Sequence, residues 1–400
     1  MHRIVITNQH SDNRGDESAV IGMVSSLRKQ FGDDSEITIL LQTKGFKFLD
    51  EKFQVNEKSM LTRIIPFSGL TLWILFKKIG VDIRKVTGKI IREFIDLHDR
   101  ADIVISSCGG PYIGDIYINH EILHIVHLYL ALVLGKKTAF YAPSMGPFKN
   151  KLMNPLRRKL LKKVDVIVLR DSVSYEYVRN FIPDKKAVYL TTDSCLADRT
   201  PLMETSIQKN MIGITPLDYS YPLREDTQFY KQQYEKVIVQ VLNSLMKDNT
   251  ELRIQFFPQL YGKHTDVPFI KKIIAQLDFP ERTIIFPDTK SGQEQQREIS
   301  TMKYMIATRY HSAIFSAKMK VPVVTIYYEH KAKAFMKSIG LDRYCIDIYS
   351  INAIELLEKI SSINENYEQI KKQLNEKIPE LSAAADRTAE IVYQAFIGRL

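Results

Sequence analysis

The chain has 400 residues, 45% of them hydrophobic and 26% charged, with 56 Lys and Arg against 46 Asp and Glu for a formal net charge of +10. That is too long for one ordinary core and typical of a soluble globular protein, so two domains of roughly 150–200 residues are expected. No apolar run reaches the ~18 residues that span a bilayer, and Cys108, Cys195 and Cys345 lie too far apart for a disulfide framework or a structural zinc site.

Met1-His2-Arg3 leads straight into a strand-like Ile4–Thr7 with no signal-peptide pattern, and a reducing, cytoplasmic compartment is expected. The loop Asn8–Asp16 and a helix from about Glu17 to Phe31 follow, then a strand at Glu36–Leu41. Residues 43–70 read as polar and irregular. A helical pattern over about Leu70–His98 breaks near Gly80 and holds the only tryptophan, Trp73, beside lysines, which suits either core burial or interfacial contact. Ile103–Ser107 is a buried strand ending in Cys108-Gly109-Gly110-Pro111, where the glycine pair lets backbone approach a ligand closely.

A helix over about Tyr117–Leu134, a strand at Thr138–Ala142 and a turn at Ser144–Pro147 come next. Phe148–Lys163 carries seven Lys or Arg and no acid, with Leu152, Leu156 and Leu160 four apart on one expected apolar face. Such a helix either packs its leucines on the sheet or lies on an anionic membrane surface. The strand Val164–Leu169 and a helix opened by Arg170-Asp171-Ser172 complete a run of parallel βαβ units.

Asp198–Lys209 reads as a linker, and Met211–Pro216 as the first strand of a second sheet. A helix (about 226–247), the strand Leu252–Phe257, a helix (about 266–277) and the strand Thr283–Phe286 follow. Ile306–Leu341 then reads strand, loop, helix, strand, Asp347-Ile348 ends the last strand, and helices over about 352–377 and 383–397 close the chain. The expected architecture is α/β: two doubly wound Rossmann-like domains, 1–197 and 210–380, facing a cleft, with a helix in 381–400 crossing back to the first.

Polar residues collect where strands of the second sheet end. In open α/β sheets ligands sit outside the carboxyl ends of the strands, so Arg309, His311 and Lys331 are expected to face one crevice. A fixed cation, a group titrating near neutrality and a second cation suit a small, multiply charged anion. The alternative makes Arg309 and Lys331 surface charges and His311 a satisfied helix cap.

The loop Asn8–Asp16 is not GxGxxG, and GxxxxGK[ST] is absent, so neither a dinucleotide fingerprint nor a Walker phosphate loop is present. Asp16 either orients a hydroxyl or caps the helix after it. His120-Glu121-Ile122-Leu123-His124 spells HExxH. A zincin also needs a third ligand, and Glu176, the one at a suitable distance, lies in an unrelated helical segment. The string therefore reads as a coincidence, and no metal is expected.

NRGDE (Asn13–Glu17), GGPYIGD (Gly109–Asp115), PSMGP (Pro143–Pro147), LRDSVS (Leu169–Ser174), TTDS (Thr191–Ser194), RYHS (Arg309–Ser312) and VPVVTIYYEHK (Val321–Lys331) occur in that order. Together they resemble the polysaccharide pyruvyl transferase family across nearly the whole chain. The chain departs from the family at Pro111-Tyr112, where a third small residue is common. The resemblance implies transfer of a pyruvyl group from phosphoenolpyruvate to a sugar as a cyclic ketal, on a fold similar to B-type glycosyltransferases, with no cofactor.

On that chemistry His311 is expected to deliver a proton to the methylene carbon. Arg309 and Lys331 hold the donor's anionic groups beside Gly109 and Gly110, and Arg170, matching the family's RD pair, holds phosphate. Asn13, Asp16 and Asp115 orient acceptor hydroxyls. The expected partners are phosphoenolpyruvate and a saccharide, as a lipid-diphosphate-linked precursor, with peripheral membrane contact through 148–163 and no nucleic acid. Two other readings stand beside this one: a nucleotide-sugar-dependent glycosyltransferase of the same architecture, and a non-catalytic anion-binding assembly protein.

Overall fold

The computed structural model describes residues 1–42, 54–60, 62, 64–116, 118–201, 207–218 and 226–400. The expected irregular stretch at 43–70 and linker at 198–209 therefore fall partly outside the described residues. The chain divides into two compact units, neither of them contiguous in sequence. The first comprises Met1–Ser11, Ala19–Asp198 and Ala383–Leu400, and the second Asp12–Ser18 and Arg199–Ser382.

The first unit is built on a seven-stranded parallel sheet. Its strands are β1 (Arg3–Gln9), β2 (Glu36–Leu41), β3 (Asn56–Ser59), β4 (Ile103–Ser106), β6 (Lys137–Tyr141), β8 (Val166–Leu169) and β9 (Val188–Leu190). Their order is β3-β2-β1-β4-β6-β8-β9. The central strands are continuous β-branched runs because helices cover both faces: Ile103–Ser106 and Val166–Leu169 are buried at every position. A two-stranded parallel ribbon, β5 (Gly109–Ile113) with β7 (Pro143–Met145), follows strands β4 and β6. The expected turn at Ser144–Pro147 is thus half strand, because Gly109 and Ile113 pair with Pro143 and Met145.

Helix α1 (Arg14–Phe31) begins three residues before the expected start at Glu17. The Asn13 side chain accepts from the Gly15 amide at 2.8 Å, so Asn13, not Asp16, ties off the helix end. Asp16 lies in the first turn, where an acid complements the helix dipole. The pattern expected over about Leu70–His98 resolves into α2 (Ile64–Lys78), which begins six residues earlier, and α3 (Lys89–Arg100), with Gly80 at positive φ between them. Trp73 is buried in the core with Leu70, Ile74 and Phe94. Helices α4 (Ile118–Val133), α5 (Asn154–Lys163) and α6 (Ser172–Phe181) complete the unit with the end of the last helix.

The basic segment departs from its expected geometry. Its helix starts only at Asn154, Leu152 stands exposed outside it, and the buried residues are Arg157, Leu160 and Leu161. The leucines four apart therefore do not form one face. Arg157 takes the inner position because Glu121 and Asp115 accept from it there, at 2.7 Å each.

The second unit has a six-stranded parallel sheet in the order β12-β11-β10-β13-β14-β15. The strands are β10 (Met211–Thr215), β11 (Arg253–Phe256), β12 (Thr283–Ile285), β13 (Met305–Ala307), β14 (Val323–Tyr327) and β15 (Cys345–Asp347). Its helices are α7 (Thr227–Asp248), α8 (Val267–Ile274), α9 (Gly292–Ile299), α10 (Tyr310–Lys318), α11 (His330–Ser338) and α12 (Ala353–Glu365), with most of α13 (Tyr367–Phe396). The two expected terminal helices divide at Asn366, whose Nδ2 donates to the Ser362 carbonyl at 2.8 Å. Pro379 lies inside α13 instead of ending a helix before it.

Candidate active site

Both sheets reverse strand order beside their first strand, between β1 and β4 and between β10 and β13. Such switch points open the crevices in which α/β proteins bind ligands.

In the second unit β13 runs into Thr308 and Arg309, and Arg309 is the N-cap residue of α10. The local turn is fixed by hydroxyls: Ser312 donates to the Arg309 carbonyl at 2.7 Å, and Thr308 Oγ1 lies 2.8 Å from the Tyr234 hydroxyl. Burial pushes the Tyr234 phenol up to about 12. The Arg309 guanidinium is paired with Asp266, whose other oxygen accepts from the Gln259 and Leu260 amides at 2.9 Å each. Burial works against the Arg309 charge, but Asp266 and then Tyr328 outweigh it, so its pKa is raised. The buried Nε of Arg309 has no acceptor among the described residues, which leaves donor capacity for an anion.

His311 sits in the first turn of α10, its side chain buried. Its imidazole lies against Gly15: a Cβ at that position would overlap the ring. It also packs beside Tyr310, with centroids 5.1 Å apart. Lys331 opens α11 after β14 and pairs with Glu329 at 2.7 Å, and its ammonium stands 5.6 Å from the Tyr310 ring. Arg309, His311 and Lys331 therefore share the carboxyl edge of the second sheet, at the N-termini of two adjacent helices, where amide donors and the helix dipole favour an anion. Each cation has a buried carboxylate beside it: Glu329 two residues before Lys331, and Asp266, which the sequence did not disclose, 43 residues before Arg309.

Asn13 and Asp16 belong to the second unit with these residues, although they follow the first strand of the first sheet. The anchor is Arg14, fully buried, which donates to the carbonyls of Pro258 (3.0 Å), Pro287 (3.2 Å) and Lys290 (2.9 Å). Its guanidinium also stands 5.4 Å and 5.6 Å from the Tyr261 and Phe286 rings. Sequence reasoning quoted Arg14 within its motif and gave it no role. We expect Gly15→Ala to force the His311 ring aside, lowering turnover while costing about 1–3 kcal/mol of stability by overpacking. Unchanged kcat in this variant would rule out a close fit between Gly15 and a working imidazole.

In the first unit Arg170 follows β8 and is buried. It donates to Asp193 Oδ2 (2.6 Å), Ser144 Oγ (2.9 Å) and the Gly110 carbonyl (3.3 Å). Its ion pair is with Asp193, while Asp171 caps α6 through the Ser174 amide at 2.8 Å. Gly109 and Gly110 both adopt positive φ. The space above them is already occupied: a Cβ on Gly109 would meet the Tyr112 hydroxyl at 2.5 Å, and one on Gly110 the Tyr112 amide at 2.5 Å. The glycine pair thus folds beneath Tyr112.

Asp115 accepts from Arg157 at 2.7 Å and from the Lys149 and Asn150 amides. Glu121, the acid of the HExxH string, takes Arg157 in a bidentate pair at 2.7 Å per bond and caps the Gly114 amide at 2.9 Å. Its carboxylate is thereby committed to Arg157 and the Gly114 turn.

A second cluster was missed from sequence. His10 and Gln42 directly follow β1 and β2, and His10 stacks on Tyr112 with centroids 5.5 Å apart and 21° between planes. His124 meets Tyr112 edge-on at 4.6 Å and contacts the Gln42 amide. The available signal was position, since His10 and Gln42 each stand one residue past a strand. Asn8, buried at φ 67, holds the strand exit by donating to Ser106 Oγ at 3.0 Å.

Burial keeps these imidazoles neutral, with His10 lowered to about 4 and His124 to about 3. His98 and His127, beside Phe94, are lowered to about 4 by burial as well. Folded pKa values below the ordinary 6.5 mean that the unfolded chain binds more protons as pH drops. Stability should therefore be intact above pH 6.5 and fall between 6.5 and 4, by about 1.4 kcal/mol per pH unit for each fully buried ring. Calorimetric midpoints should drop steeply across that window; a flat profile from pH 7 to 5 would contradict it.

Residues 13–330 match the family model described as polysaccharide pyruvyl transferase. The chain is 24% identical over 403 residues to the amylovoran biosynthesis protein AmsJ of Erwinia amylovora, covering 94% of each. Among solved structures it is similar to the S. aureus MnaA–UDP co-structure, with TM-score 0.65 and 11% identity over 100% of this chain and 98% of that one. A glycosyltransferase from Rickettsia africae matches at TM-score 0.60 and 12% identity, over 100% and 99% of the two chains. At such identities the likeness is one of fold: the two-domain α/β architecture of B-type glycosyltransferases.

Proposed function

The chain belongs to the polysaccharide pyruvyl transferase family, whose model covers residues 13–330, and on that premise we propose that it moves a pyruvyl group from phosphoenolpyruvate onto two hydroxyls of a saccharide as a cyclic ketal. The observation that carries this reading is the edge of the second sheet. There a buried imidazole, a guanidinium with a spare Nε donor and the N-termini of α10 and α11 lie at the carboxyl edge, α10 at the switch point between β10 and β13.

Arg309 grips one anionic group of the donor, and Lys331 neutralises the other as a point charge. His311 delivers a proton to the methylene carbon as positive charge develops on the carbon bearing phosphate. One sugar hydroxyl adds to that carbon, the carbon–oxygen bond to phosphate breaks, and the second hydroxyl closes the ring. Of the two hydroxyl protons, one balances that gained by the new methyl group and the other leaves with phosphate.

Asn13 and Asp16, on the same unit as His311, orient the hydroxyls. In the first unit His10 stacks on the buried Tyr112. Arg170, committed to Asp193, Ser144 and Gly110, acts there by positioning the glycine pair. The acceptor in this reading is a lipid-diphosphate-linked precursor of a cell-surface polysaccharide, met in the cytoplasm.

The test is incubation with phosphoenolpyruvate and a panel of soluble and lipid-linked glycosides, read by phosphate release and a mass gain of one pyruvyl ketal. Release of nucleoside diphosphate from sugar nucleotides, without phosphate from phosphoenolpyruvate, would replace this reading with glycosyl transfer.

A further inference from the structure

Helix α2 is apolar on all sides: IIPFSGLTLWILFKK. Its inner face, Leu70, Trp73 and Ile74, packs into the core of the first unit. Its outer face does not. Ile65, Leu72, Leu75 and Phe76 recur at helical spacing on the exposed side, and Ile79 continues the line just past the helix end. Ile65 is 84% exposed and Ile79 74%. The same surface extends through Val86, 81% exposed, to Ile90 at the start of α3.

Single exposed leucines are ordinary, but a run of this kind on consecutive elements is a contiguous patch, and such patches mark docking surfaces. An all-round apolar helix belongs in a core or against lipid. No described helix is long and apolar enough to cross a membrane, so this face can lie on a bilayer but not span it.

Charge identifies the occupant. The local aspartates are taken up by neighbours: Asp82 accepts from Trp73 Nε1 and Lys77 at 2.9 Å each, and Asp96 and Asp99 accept from Arg84 at 3.0 and 2.7 Å, while Glu93 lies 3.9 Å from Lys89. Bases still outnumber acids along this stretch: Lys85 and Lys89 are exposed beside Val86 and Ile90, and Lys78, whose ammonium stands 4.1 Å from the Tyr129 ring, is exposed at the end of α2. Protein interfaces are depleted in lysine, whereas lysines beside Leu, Ile and Phe are the pattern of helices that rest in an anionic membrane interface.

We propose that the outer face of α2, continued through Val86 and Ile90, docks the protein on an anionic phospholipid surface, the aliphatic side chains entering the headgroup boundary and the lysines meeting lipid phosphates. The surface is distinct from the basic helix α5, whose inner positions are already used by Arg157, Leu160 and Leu161. It is also independent of the reaction assigned above.

Flotation of the full chain with phosphatidylglycerol-containing vesicles tests this, with pure phosphatidylcholine vesicles as reference. We expect recovery with the anionic vesicles only, and a loss of about tenfold or more in the Leu72→Glu/Leu75→Glu variant. That variant should keep the wild-type melting midpoint and turnover on a soluble glycoside. Leu156→Glu on α5 should float like wild type. Equal recovery with both vesicle types, loss of flotation only in the α5 variant, or a dimer that the α2 substitutions convert to monomer without any vesicle binding would each overturn the assignment.

Discussion

Replacing His311 with alanine is expected to lower kcat for pyruvyl transfer by about 10²–10⁴, the range attributed to a positioned acid or base. The KM for phosphoenolpyruvate should change little, because Arg309 and Lys331 remain to bind its charges. The ring packs against Gly15, so His311→Gln, which keeps more of the side-chain volume, serves as the companion variant: it should match the alanine loss in rate and retain the wild-type melting midpoint. Arg309→Lys gives the complementary outcome. A single ammonium cannot hold Asp266 and also present a planar fork to an anion, so KM should rise more than kcat falls. Full activity in folded His311→Ala would remove proton delivery from this imidazole and pass that role to another group.

Arg157→Ala is expected to destabilise the first unit by about 3–5 kcal/mol, the usual result of deleting one partner of a buried ion pair. Arg157 and Glu121 are both fully buried, and Asp115 is mostly so. The Arg157 guanidinium loses hydration on burial, and the Glu121 and Asp115 carboxylates more than restore its charged state, so its pKa is raised. Removing it strands an acid at the end of the ribbon and frees the turn at Gly114. A double replacement of Arg157 and Glu121 by methionine should recover much of the loss, since an apolar pair of similar volume avoids the stranded charge. The measurement is the shift in calorimetric midpoint. A small shift in the single variant would show that water reaches Glu121. Glu121→Gln should likewise act on stability, in contrast to the selective loss of activity expected of a zincin base.

The alternation of strands and helices was legible because the central strands are buried on both faces and must be continuously apolar. The edges were not. β3 is Asn-Glu-Lys-Ser, exposed at all four positions, and is held by backbone pairing to β2, which leaves no mark on side-chain pattern. Helix α9 was invisible for the opposite reason: its polar residues are buried. Gln295 contacts Gln259 and the Pro258 carbonyl, and Gln296 takes Lys318 at 2.7 Å. A helix that packs through amides carries no apolar stripe.

The triad at the second sheet was legible because strand ends collect polar residues. Its counter-charge Asp266 was not assigned, since an ion pair across 43 residues has no local signature, whereas Glu329 stands only two residues before the Lys331 it pairs with. The loop after β1 was assigned to the first domain on chain order. Arg14 overrides chain order by seeking carbonyls of the second unit.

That override bears on any attempt to dissect the protein. A fragment ending near residue 198 would present Arg14 to water without its carbonyl acceptors, and would lack the segment from Ala383 whose Asp386 accepts from Ser26 at 2.7 Å. The complementary fragment would leave His311 without the glycine it rests on. Neither half is therefore a natural truncation product. A permuted chain that keeps both crossings is the form in which one unit could be studied by itself.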